Sequence, residues 1–127
     1  MLRYKNLNIY LEQLFFEDDH VRHIKDILSK FPENNIIIYD TPKDIEIGLL
    51  RYQIDVPTGK VFLFKFPNEK ERSFHTVGMT FPIDIYFFDK KGFLITSYKE
   101  VPPGVSNIPS KLPTKYVIEI PSEPILF

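Results

Sequence analysis

Between Ser73 and Asp89 the chain reads SFHTVGMTFPIDIYFFD, and within it Ile83, Ile85 and Phe87 alternate with Asp84, Tyr86 and Phe88. That period of two predicts a strand with both faces largely covered. Phe62, Phe64 and Phe66 share one face of a second strand over residues 60–66, and Pro67 to Arg72 reads as a charged loop after it. The run Ile36-Ile37-Ile38-Tyr39 predicts a compact central strand, residues 93–99 and 115–120 two further strands, and Leu7, Ile9 and Leu11 a strand near residues 5–12. Helical spacing appears twice. Val21, Ile24, Ile27, Leu28 and Phe31 follow the acidic run Glu17-Asp18-Asp19 and stop at Pro32, which predicts an amphipathic helix with one face free to dock on the sheet or on another subunit. Asp40 or Thr41 as N-cap, with Pro42 at the first helical position, starts a second helix that runs to about Arg51 with Ile45, Leu49 and Tyr52 on its apolar side.

Turn chemistry orders these elements. Asp89-Lys90-Lys91-Gly92 predicts a hairpin joining two antiparallel strands. Val101 to Pro113 is a proline-punctuated loop, of a length that is uncommon unless the loop is packed or functional. Gly78, between Val77 and Met79, predicts a bend that re-aims the chain toward Phe81-Pro82. The organisation is then an N-terminal extension over 1–34, a possible strand plus an amphipathic helix, and a single β-rich domain over 35–127 that ends in the apolar tail Ile125-Leu126-Phe127.

Composition narrows the chemistry. The 127 residues fit one domain, and 15% aromatic residues with 11 prolines favour sheet over helix. A net charge of −1 gives no pull toward nucleic acid or an anionic membrane surface, and no stretch approaches the apolar length that spans a bilayer. The N-terminus lacks the pattern of a secretory signal, so the expected location is cytoplasmic or within a virus particle. With no cysteine, thiolate nucleophiles and Cys-bound zinc are excluded. Neither a Gly-x-Ser-x-Gly elbow nor a phosphate-cradling glycine loop occurs.

Two candidate constellations remain. A histidine and an acid on neighbouring strands, His75 and Asp84, have the residue types of an acid/base pair or a small-ligand site. The competing reading of Asp84 is a structural carboxylate that caps backbone N–H groups. His20 and His23, three apart beside Asp18 and Asp19, have the spacing of two metal ligands, but no second cluster completes a set, and no metal or cofactor is expected. The phenylalanines at 62, 64, 66, 74, 81, 87 and 88 are read as core, because the charges around them are mixed rather than basic.

The run Phe74-His75-Thr76, Gly78-Met79, Phe81-Pro82-Ile83-Asp84, then Phe87, Asp89 and Gly92 resembles the signature of the domain-of-unknown-function family 192. Thr41-Pro42 with Gly48-Leu49, Val101-Pro102-Pro103-Gly104, and Pro113 to Glu119 resemble the flanking motifs of that family in the same order. Where the family usually carries arginine before Gly-Leu, this chain has Ile47, and the first 34 residues lie outside the pattern. The resemblance implies a mainly β (α+β) fold, a compact barrel-like antiparallel sheet with one short family helix, to which this chain adds its N-terminal helix. It implies structural roles for Gly48, Gly78, Pro82, Asp84, Asp89 and Gly92 and brings no established activity. The extension and the apolar tail point to a non-catalytic structural or binding module that contacts protein partners or copies of itself through residues 1–34 and 121–127, in an assembly such as a phage virion. The alternative is a small-ligand or hydrolytic site around His75 and Asp84.

Overall fold

The structure, a computed structural model, describes residues 21–122. The strand expected near residues 5–12 and the tail Ile125-Leu126-Phe127 lie outside them. In chain order the elements are α1 (Ile24–Leu28), a 3₁₀ turn (Glu33–Asn35), β1 (Ile36–Tyr39), α2 (Pro42–Ile47) running into a 3₁₀ turn (Gly48–Arg51), β2 (Val61–Lys70), β3 (Ser73–Phe74), β4 (Ile83–Phe88), β5 (Leu94–Val101), β6 (Ile108–Pro109) and β7 (Thr114–Pro121). Five strands form one sheet in the order β1-β2-β7-β4-β5, and β3 pairs with β6 in a separate ribbon. With 41% of the described residues in strands against 18% in helices, the fold is mainly β. The sheet is open: β1 and β5 are its two edges, so it is not closed into the barrel that the family resemblance implies.

Alternation assigns each strand residue to a face. Phe62, Phe64, Ile83, Ile85, Phe87 and Val117 pack on one side with Leu49, Met79, Phe81 and Ile108, beneath α2 and the β3-β6 ribbon. Val61, Leu63, Tyr86, Phe88 and Ile118 pack on the other, where Val21 and Ile27 cover them. The amphipathic residues ahead of Pro32 therefore dock on the chain's own sheet.

Three boundaries differ from the sequence reading. The helix is confined to Ile24–Leu28, because His23 is extended and bridges the hairpin at Phe93. His23 is the N-cap: its Nδ1 accepts from Lys25 N–H, while the Asp26 carboxylate accepts from the N–H groups of Arg22 at 2.8 Å and His23 at 2.9 Å. Those two hydrogen bonds hold Asp26 below the usual carboxylate range. The strand β1 is an edge and not central, pairing in parallel with β2 alone and leaving Ile38 49% exposed. A short apolar run reads the same whether one or two strands flank it. Finally, β2 continues through the expected loop to Lys70, with an irregularity in its pairing to β7 between Lys65 and Lys70. The second helix starts as expected, with Thr41 Oγ1 accepting from Asp44 N–H at 3.2 Å and Pro42 in the first turn. Gly48 then ends it at φ 52°.

Candidate functional site

The first wall of the candidate site comes from the ribbon that follows β2. The Arg72 N–H donates to Ser110 Oγ at 2.9 Å, Ser110 N–H donates to Arg72 O at 2.8 Å, and Ser73 and Phe74 pair with Pro109 and Ile108. The long proline loop is thus packed, and it carries residues 72–75 across the sheet face. Thr76 fastens the far end. Fully buried, it donates from Oγ1 to Pro102 O at 2.6 Å and accepts there from Val105 N–H at 2.9 Å. Its carbonyl accepts from Met79 N–H, closing a turn in which Gly78 at φ 90° supplies the left-handed residue and packs on Leu50. Thr76→Val keeps the shape and leaves Pro102 O and Val105 N–H without that partner, so it is expected to lower stability by about 2 kcal/mol. A fall in the urea midpoint at unchanged m-value, smaller in Thr76→Ser, which keeps the hydroxyl and loses only a buried methyl, checks this.

Beneath this wall lies a cavity of about 260 Å³ whose lining includes Leu49 and Leu50 from the 3₁₀ turn, Phe64 and Phe66 from β2, Phe74 and Met79. Its apolar walls are set by edge-to-face ring contacts, with Phe74 5.5 Å from Phe64 and 6.0 Å from Phe66. Four charged or titratable side chains share the lining: Glu46, Arg72, His75 and Glu119. Glu119 stands apart. It is only 4% exposed, and its neighbours across the sheet are Phe62 on β2 and Ile85 on β4. Among the described residues nothing hydrogen-bonds its carboxyl, and burial pushes the group up from 4.5 to about 8. At neutral pH this is a protonated acid, a donor as well as an acceptor.

The other three groups are less buried, Arg72 partly and Glu46 and His75 exposed. Arg72 is half-buried, its guanidinium 3.6 Å above the Phe66 ring, and it donates to Thr114 O and Asn68. Burial lowers its pKa. His75 Nδ1 accepts from Val77 N–H at 3.2 Å, so the neutral ring carries its proton on Nε2. Glu46 is exposed. A wider depression of about 670 Å³, lined by Asp40, Lys65, Phe66, Lys115 and Tyr116 among others, contains no comparably buried polar group.

His75 and Asp84 lie on opposite sides of the sheet. His75 lines the cavity with Phe64 and Glu119, whereas Asp84 pairs with Ile120 and alternates with the cavity-side residues Ile83 and Ile85. Asp84 Oδ1 accepts from Glu100 N–H at 2.7 Å, where β5 bulges and Glu100 takes φ 50°. It caps a backbone group at that bulge, one of the two roles open to it from the sequence. Pro82 enters β4, with its carbonyl accepting from Ser122 N–H. Asp89 shapes the hairpin, Oδ1 accepting from Lys91 and Phe93 N–H, both at 2.9 Å. His23 uses both ring nitrogens within the chain, on Lys25 N–H and Lys91 O, and His20 lies outside the described residues. Among the described residues no group of three or more metal-ligating side chains occurs, and no helix is long and apolar enough to cross a membrane.

The sequence reading passed over Glu119, although the signal was present. Alternation puts it on the face of Val117 in a strand whose other face holds Ile118 and Ile120, the same kind of position that drew attention to Asp84.

Comparison with known proteins places this geometry. The model of family DUF192, described as "Uncharacterized ACR", matches residues 29–125. A solved structure of a candidate transcription regulator from Sinorhizobium meliloti is similar at 23% identity and a TM-score of 0.62, over 68% of this chain and 67% of that one. A protein of unknown function from Novosphingobium aromaticivorans is similar at 19% identity and a TM-score of 0.58, over 68% of this chain and 61% of that chain. At these identities the likeness is one of fold. Among curated proteins none matches.

Proposed function

Because the chain belongs to the domain-of-unknown-function family 192, described as uncharacterised, we propose a function from its site: a small-ligand-binding domain whose ligand enters the cavity under α2 and meets the Glu119 carboxyl. One observation carries this reading. A carboxyl that is 4% exposed, flanked by Phe62 and Ile85, has no hydrogen-bond partner among the described residues and opens on a cavity. An unsatisfied buried polar group costs about 1–3 kcal/mol, which a leucine at the same position would avoid. A ligand that pairs with the carboxyl recovers that cost on binding. The site is therefore centred on His75 and Glu119, with Asp84 on the far side of the sheet.

The test is a titration of the labelled protein with a library of small aromatic and polar fragments, followed by amide chemical shifts. Binding fragments are expected to move Leu49, Phe64, Phe74 and His75, and Glu119→Leu, which is close to isosteric, is expected to keep the fold and remove the response by removing the carboxyl. Fragments that gather elsewhere on the surface, or that bind equally well after Glu119→Leu, would defeat the reading. A docking role in an assembly such as a virion is a separate proposal. It rests on the two ends, of which residues 1–20 and 123–127 lie outside the described residues, while residues 21–31 are engaged with the chain's own sheet.

A further inference from the structure

The donors around the cavity identify a class of ligand. We propose that the cavity takes a small monocarboxylate with an apolar body, whose carboxylate is held by Arg72, His75 and the Glu119 hydroxyl while its body packs against Phe64, Phe66, Phe74 and Met79. This rests on the reading of the cavity as a ligand site and adds the charge of what enters it.

Three hydrogen-bond donors line the cavity with capacity to spare. Arg72 uses Nε on Thr114 O and Nη2 on Asn68, and Nη1 has no partner among the described residues. His75 has Nδ1 occupied by Val77 N–H, which leaves Nε2–H as a donor. A Glu119 protonated at neutral pH offers an O–H. Ser73 adds none, since its hydroxyl donates to Asn107 Oδ1. Against these stands a single further acid in the lining, Glu46, which is exposed and screened by solvent. Guanidinium and hydroxyl donors to a carboxylate are charge-assisted and stronger than neutral pairs. An ammonium ligand would instead meet the fixed charge of Arg72 inside the same small volume. It would also have to ionise Glu119 between Phe62 and Ile85 before pairing with it.

Size limits the body. A volume of about 260 Å³ lies just below the range of about 300–1,000 Å³ usual for drug-sized ligands. A single ring or a short branched chain fits that volume. The apolar walls reward such a body in proportion to the area it buries.

Benzoate, benzamide and benzylamine serve as probes of equal shape and different charge, titrated into the full chain at about pH 6 and about pH 9 with binding read by calorimetry and by the Leu49, Phe64 and His75 amides. The expected order at the lower pH is benzoate tightest and benzylamine undetectable. Arg72→Gln is expected to weaken benzoate at least tenfold, and Arg72→Lys, which keeps the charge and loses the fork, by less. In the wild type benzoate is expected to weaken about tenfold at the higher pH, where Glu119 becomes a second anion. Glu119→Gln is expected to remove that loss. Preference for benzylamine with affinity rising with pH, or benzoate binding indifferent to Arg72, overturns the carboxylate assignment and leaves the cavity reading standing. If no probe moves those amides, both fall.

Discussion

On the order of 4 kcal/mol of stability is expected to disappear between about pH 5 and pH 9 in the wild-type domain and to persist in Glu119→Gln. In the unfolded chain this carboxyl ionises at its ordinary 4.5, and in the folded chain at about 8. Between those values the folded state holds one more proton than the unfolded state, so raising the pH favours unfolding. The contribution is complete below about 4.5 and is lost as the pH rises through 8. Asp26 works in the opposite sense, its lowered pKa stabilising the fold once it is ionised, and that change falls below the pH window in which Glu119 acts. Set against a total stability of about 5–15 kcal/mol, the Glu119 loss is large and should appear as a fall of roughly 10–25 °C in Tm. Urea midpoints of the two proteins at acid, neutral and alkaline pH decide it. Parallel curves would mean that Glu119 ionises like an exposed acid, and the ligand reading would lose the observation that carries it.

The second large effect is expected at Gly92. The hairpin is a three-residue loop in which Gly92 N–H donates to Asp89 O, Asp89 N–H donates to Phe93 O, and Gly92 takes φ 88°. A β-carbon there would stand 2.6 Å from His23 Nε2, 2.8 Å from His23 Cε1 and 3.3 Å from Ile24 Cγ2. Gly92→Ala therefore combines left-handed strain with displacement of the ring that N-caps α1 and contacts Lys91 O. A cost of about 2–4 kcal/mol is expected. Faster hydrogen exchange should follow at Ile24 and Leu94, whose amides donate to Gly92 O and Arg22 O. Gly104→Ala is the control, because Gly104 has φ 90° with nothing within 4 Å of the added carbon, so strain alone acts. Equal losses at the two glycines would show that His23 yields freely and that the packing contributes nothing.

Local chemistry was legible and long-range pairing was not. Thr41-Pro42, Asp89 to Gly92, and the turn at Gly78 each declare themselves within a few residues, because the cap, the Asx-type contact and the positive φ are satisfied by immediate neighbours. The apolar alternation of β4 was equally plain. Its partners were not, since β7 arrives from the end of the chain to lie between β2 and β4, and β1 joins β2 in parallel through α2. The His75 and Asp84 pairing failed for a related reason. Sequence proximity suggested neighbouring strands, but the pleat sends Asp84 to the face that Val21 and Ile27 cover.

By itself, then, the sequence determined a mainly β domain, its turns and caps, most of its core and its family, all of which depend on side-chain periodicity and on backbone preferences acting over a few residues. Only the tertiary structure decided that the sheet stays open, that His23 caps a short helix against Gly92, and that Glu119 lies between Phe62 and Ile85 at a cavity. A carboxyl acquires its charge state from what surrounds it. At Glu119 those surroundings come from strands more than thirty residues away in the chain.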